Sequence, residues 1–332
     1  MPLRDCLDDC PCDVRDAMSV MSVICWEWTL EQNFTIFIAL STRNPPMKIT
    51  LIFCCSALLA FSGCIRTLAV SAVGGIADDG FEAFTSERDL DFAGQALPGN
   101  LKLLEVMLKS DPDNERLLRL LSQGYASYAL AYLEEKDDVR ARDFYIRARD
   151  FGYRIMRRDA GLARALDGSA DDLKAELARR GKDDVPGVFW SAFGLGSYIE
   201  LSLTEPTALA DLPRAEAMME FVARTDSSYY YGGSHLFLGA LAGMRPQMLG
   251  GNPEKSKAHF ETAIRLSGGK FLLTYVYYAR SYAVQTQNEE LFTELLTKVR
   301  DASLEILPEF RLANAIAKKK AEILLAKKSD LF

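Results

Sequence analysis

From Leu101 to the end of the chain, apolar residues recur at three- and four-residue intervals, and no alternating run is long enough to make a strand. A chain patterned in this way folds as helices laid against one another. Its breaks are also legible. LKLLEVMLKSDPDN reads as a helix stopped at Asp111-Pro112, because proline disfavours α geometry in the residue before it. NERLLRLLSQGYASYALAYLEE restarts as a long helix, and DDVRARDFYIRARDFGYRIMRR follows as its partner after a short acidic turn. The body is expected to be all-α and built from helix hairpins.

Hairpins invite a search for internal repeats. Tyr125-x-x-Tyr128-Ala129-x-x-Tyr132, followed by Ala141-x-x-x-Tyr145-x-x-Ala148, fits the tetratricopeptide frame of about 34 residues. In that frame the large residues of the first helix fill a groove, while Ala129, Ala141 and Ala148 let the helix backbones approach. Tyr275-x-x-Tyr278-Ala279-x-x-Tyr282 returns 150 residues later, with Leu291-x-x-x-Leu295 at the second-helix distance. Two degenerate copies sit between them. Trp190-x-x-Phe193-Gly194 pairs with LPRAEAMMEFVAR, and His235-x-x-Leu238-Gly239 pairs with Ser256-x-x-x-Phe260-x-x-Ala263 across the insertion MRPQMLGGN. The expectation is an irregular solenoid of about four degenerate repeats over residues 100–328, each burying its apolar face against its neighbours. The concave face of such an array is the usual seat of a peptide, a partner helix or an apolar ligand.

All seven cysteines lie between Cys6 and Cys64. Lys48 follows Met47, an apolar run extends from Ile49 to Phe61, and Ser62-Gly63 precede Cys64, the order of a secretory signal. The run is shorter than the roughly 20 apolar residues a membrane-spanning helix needs. A cysteine just after small residues resembles the bacterial lipobox, in which it is acylated and becomes the first residue of the mature protein. Phe61 stands where lipoboxes favour Leu, and Cys54 and Cys55 fit worse because Phe53 is too bulky for the cleavage position. Residues 1–46 are thus expected to be a leader outside the translated protein, 47–63 a lipoprotein signal peptide, Cys64 the lipidation site, and 64–99 a tether with a short leading helix. A core helix under a start at Met1 is the other reading of the same stretch. A thiol-free body suits an oxidising compartment.

The chain has a net charge of −7, and without its first 63 residues it keeps −4, so a nucleic-acid partner is not expected. Catalytic signatures are sparse. There is no Gly-x-Ser-x-Gly elbow and no phosphate-binding loop. His235 and His259 fall at repeat packing positions and read as structural, so neither a metal nor a cofactor is expected. Glu134-Glu135, Asp171-Asp172 and Asp183-Asp184 read as caps and solvated turns, since adjacent side chains on a helix point different ways. Lys318, Lys319, Lys320, Lys327 and Lys328 read as a solvated helix end opposing the dipole. Aromatic residues stand out more. In the repeat frames Trp190, Phe193, Tyr275, Tyr278 and Tyr282 fall in core positions; Tyr229, Tyr230, Tyr231 and Tyr277 fall outside them, and these four together with Trp190 are candidates to line a ligand pore or a partner groove.

The segments GVFWSAFGLGSYI, YYYGGSHLFLGALAGMRPQMLGGNPEKSKAHFETAIRLSGGKFLLTYVYYARSYAVQ and LPEFRLANAIAKKKAEILL resemble the T-component (TatT) family of TRAP-transporter-associated lipoproteins, its treponemal member included. The resemblance covers roughly residues 98–328 and is carried mainly by Gly232 to Ala263 and Pro308 to Leu325. It implies a periplasmic, lipid-anchored tetratricopeptide protein with no enzymatic activity. It further implies a pore or cleft through the protomer, a homotrimer, docking of the substrate-binding P subunit of a tripartite ATP-independent periplasmic transporter, and a hydrophobic ligand passed between the two. The membrane would be reached through the lipid anchor alone. A tetratricopeptide scaffold for envelope protein assembly is the alternative.

Overall fold

The computed structural model describes residues 80–244 and 250–332. The expected leader, signal peptide and Cys64 lie outside the described residues, as do residues 65–79 of the tether and residues 245–249 of the MRPQMLGGN insertion.

Every regular element among the described residues is helical. Residues 80–85 form a short helix, and α1 (Leu90–Ser110) follows. Asp89 starts α1 by accepting the backbone N–H groups of Asp91 and Phe92, and the helix ends just before Asp111-Pro112. Residue 100 therefore lies inside α1, which also runs through Pro98. After it come α2 (Glu115–Tyr128), α3 (Asp138–Met156), α4 (Ala160–Asp167), α5 (Ala170–Leu177) and α6 (Val185–Glu200). The chain continues with α7 (Pro206–Ala210), α8 (Leu212–Thr225), α9 (Tyr229–Met244), α10 (Pro253–Leu266) and α11 (Leu273–Tyr277). It closes with α12 (Glu289–Asp301), α13 (Arg311–Ala326) and α14 (Lys328–Leu331).

Helices pack as successive pairs, α2 on α3, α6 on α8, α9 on α10 and α11 with α12. Neighbouring pairs are stacked chiefly through α3 against α6 and α8 against α9. Gly194 explains the closeness of the first of these contacts. A Cβ there would fall 2.7 Å from the backbone nitrogen of Arg149 and 2.8 Å from the carbonyl oxygen of Tyr145, so α6 meets the backbone of α3 itself. The short helices α4 and α5 pack together, with α5 on α8, and α13 lies over α11 and α12 and also touches α1.

The two Tyr-x-x-Tyr-Ala-x-x-Tyr copies share a feature beyond burial. Each ends in a π turn, Ala129–Leu133 after α2 and Tyr278–Ala283 after α11. The widened turn is closed by the Glu134 N–H on the Ala129 carbonyl at 3.0 Å and by the Val284 N–H on the Ala279 carbonyl at 3.2 Å. Tyr125, Tyr145, Tyr275 and Tyr278 are buried together with Ala129, Ala141, Ala148 and Ala279, whereas Tyr128, Tyr132 and Tyr282 are half-buried. Tyr132 reaches back to donate its hydroxyl to the Leu90 carbonyl at 2.9 Å, tying α1 to this turn.

The second helices are offset by one residue. The turn before α12 is one residue longer, so Asn288 caps α12 where Asp137 caps α3. The fully buried counterparts of Ala141, Tyr145 and Ala148 are therefore Phe292, Leu296 and Val299, one position beyond the expected Leu291 and Leu295.

Candidate ligand chambers and the ion pair beside them

Helix α6 opens with Pro186 in its first turn and then presents Phe189, Trp190 and Phe193 toward α9 and α13. Opposite it, α9 begins irregularly. Tyr230 (φ 47°), Tyr231 (φ 57°) and Gly232 (φ 76°) are all left-handed before the helix becomes regular. Left-handed geometry costs a residue with a Cβ about 1–2 kcal/mol, so two tyrosines hold it only where packing repays that cost. The Tyr230 ring has its centroid 4.9 Å from that of Trp190, 5.5 Å from Phe310, 5.7 Å from Phe189 and 5.8 Å from Phe271. Burial pushes its hydroxyl pKa well above the ordinary tyrosine value. The start of α9 is thus an aromatic wedge.

Behind this wedge lies a cavity of about 80 Å³, walled by Trp190, Tyr230, Leu273, Leu312 and Ile316 among others and carrying no charged side chain. A second and larger chamber, about 530 Å³, opens between α6, α8 and α9, where Ile199, Leu212, Phe237, Leu241 and Met244 form its wall. Phe193, Leu236 and Tyr277 belong to both walls, so the two chambers meet at these three side chains.

Charges are confined to the fringe. Glu200 and Glu216 are the charged residues on the larger chamber, and Glu200 is paired with Arg280, whose guanidinium lies 4.8 Å from the centre of the Tyr277 ring. On the other side, Lys320 Nζ lies 2.8 Å from Glu134 Oε2 and 3.5 Å from Glu135 Oε1. Glu134 also accepts the Tyr145 hydroxyl. Lys320 is four residues beyond Ile316 on α13, and Glu134 is four residues beyond Leu130; both Ile316 and Leu130 line the smaller chamber. Burial, followed by the negative charges of Glu134 and Glu135, pushes the Tyr277 hydroxyl pKa well up.

Of the five aromatic candidates, Trp190 and Tyr230 line the smaller chamber and Tyr277 lines both. Tyr229 and Tyr231 are absent from both walls. Tyr229 packs edge-on against Phe189 at 5.2 Å, and Tyr231 stacks on Phe271 at 5.4 Å while donating its hydroxyl to Glu309 at 3.2 Å. Two readings of charge are corrected. Lys320 is buried rather than part of a solvated helix end, and Glu134 is enclosed rather than exposed on a turn, because α13 brings Lys320 against the turn that follows α2. Sequence reasoning also missed Leu236, Phe237 and Met244, and it assigned Phe193 to the core; chamber walls use the same apolar residues as a core, so nothing local marks them.

Among the described residues, no group of three or more His, Cys, Asp or Glu side chains is placed to hold a metal ion, and no helix is long and apolar enough to cross a membrane.

Comparison with known proteins gives two results. The family model described as TRAP transporter T-component matches residues 86–332. An uncharacterized protein of Treponema pallidum (strain Nichols) is 28% identical over 297 residues, which cover 82% of this chain and 91% of that protein.

Proposed function

The chain belongs to the TRAP transporter T-component family, and from that membership we propose that it is a lipid-anchored periplasmic accessory that docks the transporter's substrate-binding P subunit and holds a hydrophobic ligand in the paired chambers. The family is a transporter component and not an enzyme family. The observation that carries the ligand reading is the meeting of two apolar chambers at Phe193, Leu236 and Tyr277. The larger, at about 530 Å³, falls within the range of about 300–1,000 Å³ typical of small-molecule sites. Its walls favour an apolar ligand body, with polar groups kept to the rim. Anchoring through Cys64, the domain division at residues 46, 63 and 99, and a trimeric assembly complete the proposal; these rest on the sequence reading and the family.

Native mass spectrometry of the purified protein tests the reading in one measurement. A trimer carrying a co-purified apolar molecule is expected, and addition of the P subunit should yield a heavier complex. A ligand-free monomer that takes up neither apolar probes nor the P subunit would overturn it.

A further inference from the structure

The chain has two histidines, 24 residues apart, and the fold brings them face to face. His235 on α9 and His259 on α10 place their Nδ1 atoms 2.9 Å apart, with ring centroids at 5.1 Å. Neither ring belongs to a chamber wall. The outer nitrogen of His235, Nε2, lies 3.1 Å from the Ser227 hydroxyl. When Ser227 accepts from an Nε2–H, the Nδ1 lone pair of His235 is left pointing inward, and the contact is completed by an Nδ1–H on His259. Both rings are only half-buried.

We propose that His235 and His259 form a two-imidazole binding site for Zn²⁺ or a similar imidazole-seeking divalent cation, bridging α9 and α10. A tetrahedral Zn²⁺ with bonds of about 2.0–2.1 Å to each nitrogen needs the two Nδ1 atoms about 3.3 Å apart. The rings must therefore separate by a few tenths of an ångström from their metal-free contact. No proton is lost overall: His259 moves its hydrogen from Nδ1 to Nε2, and both Nδ1 lone pairs then face the ion. Ser227 acts as the outer partner that sets the tautomer and orientation of His235. The charged groups facing the pair are Arg265 and Lys255 of α10 and Glu220 of α8. Glu220 is held by Lys174 at 3.0 Å, so the two imidazoles are the protein ligands and water fills the remaining positions. Two protein nitrogens opposed by two nearby cations make a weak, exchangeable site. The inference is independent of the proposed ligand and partner.

The test uses the purified protein with every free thiol alkylated, so that cysteine cannot bind the metal. Because there are only two histidines, both imidazole proton signals can be followed directly in unsubstituted protein during a Zn²⁺ titration. Both signals should shift together and saturate at equal occupancy. By calorimetry, His235→Ala and His259→Ala should each weaken Zn²⁺ binding by more than about tenfold, and Ser227→Ala by about tenfold. Histidine signals that stay unmoved in millimolar Zn²⁺ would overturn the site whether or not the variants fold. So would binding that survives in the folded double variant.

Discussion

Lys320 and Glu134 stand 186 positions apart in the chain, and their side chains meet at 2.8 Å with only 10% and 8% of their surfaces exposed. This pair joins α13 to the end of the first repeat helix, beside the smaller chamber. Removing one partner of a buried pair leaves an uncompensated charge and typically costs about 3–5 kcal/mol. Lys320→Met should destabilise the protein by that amount in urea unfolding at neutral pH. Glu134→Leu alone should also cost, since Tyr145 loses its acceptor. The double variant should recover much of the loss, and a purely additive double variant would show that the pair is not coupled.

Leu236 lies where the chambers meet. Leu236→Trp should fill that junction and lower the affinity for an apolar fluorescent probe by at least about tenfold, equivalent to about 1.4 kcal/mol. Glu254→Gln, at an exposed position of α10, is the matched control and should leave probe binding unchanged.

Gly232 occupies a left-handed conformation, and a Cβ there would come within 3.2 Å of the Ala263 Cα. Gly232→Ala should therefore cost at least about 1–2 kcal/mol. Circular dichroism melting would detect the change, and unaltered stability would mean that the aromatic wedge can relax.

Gly194 is tight for a different reason, since its backbone lies against the Tyr145 carbonyl and the Arg149 nitrogen. Gly194→Ala forces α6 away from α3 and should cost about 1–3 kcal/mol, the range for overpacking a core. Tyr145 packs in the same contact, so its near-ultraviolet dichroism should change with the substitution.

Asp159 supplies the expected acid dependence. The Arg180 guanidinium, with the backbone N–H groups of Leu162 and Gly161, holds its carboxyl pKa far below the ordinary value of 3.8. A depressed folded-state pKa stabilises the fold fully above the unfolded pKa and is lost as pH falls through that value toward the folded one. Asp159→Asn should lower the melting temperature at neutral pH, and the gap to the parent protein should narrow as pH drops below about 5. A gap that stays constant down to the acid limit would assign the effect to the cap's hydrogen bonds rather than to its charge.

Much of this architecture is written locally. Asp89, Asn114, Asp137 and Asn288 each accept a backbone N–H in the first turn of the helix that follows, and α1 stops immediately before Asp111-Pro112. The two tyrosine motifs even share the position of their π turns. The second-helix register slipped because one extra turn residue alters which face is buried, and no apolar spacing within α12 reports the length of the turn before it. Tyr229, Tyr230 and Tyr231 are consecutive and chemically alike, yet one of the three reaches a chamber wall, because left-handed backbone angles decide where each ring points.

The amino-acid pattern alone thus specifies helices, their ends and the small residues that let them approach, since capping, proline sterics and apolar periodicity act over a few neighbouring positions. Chamber walls, the Glu134–Lys320 pair and the His235–His259 contact are decided by the tertiary structure. An enclosed space is defined by which surfaces fail to meet, and an ion pair by two helices arriving at the same place from distant parts of the chain. Neither condition leaves a mark on the residues nearby in sequence.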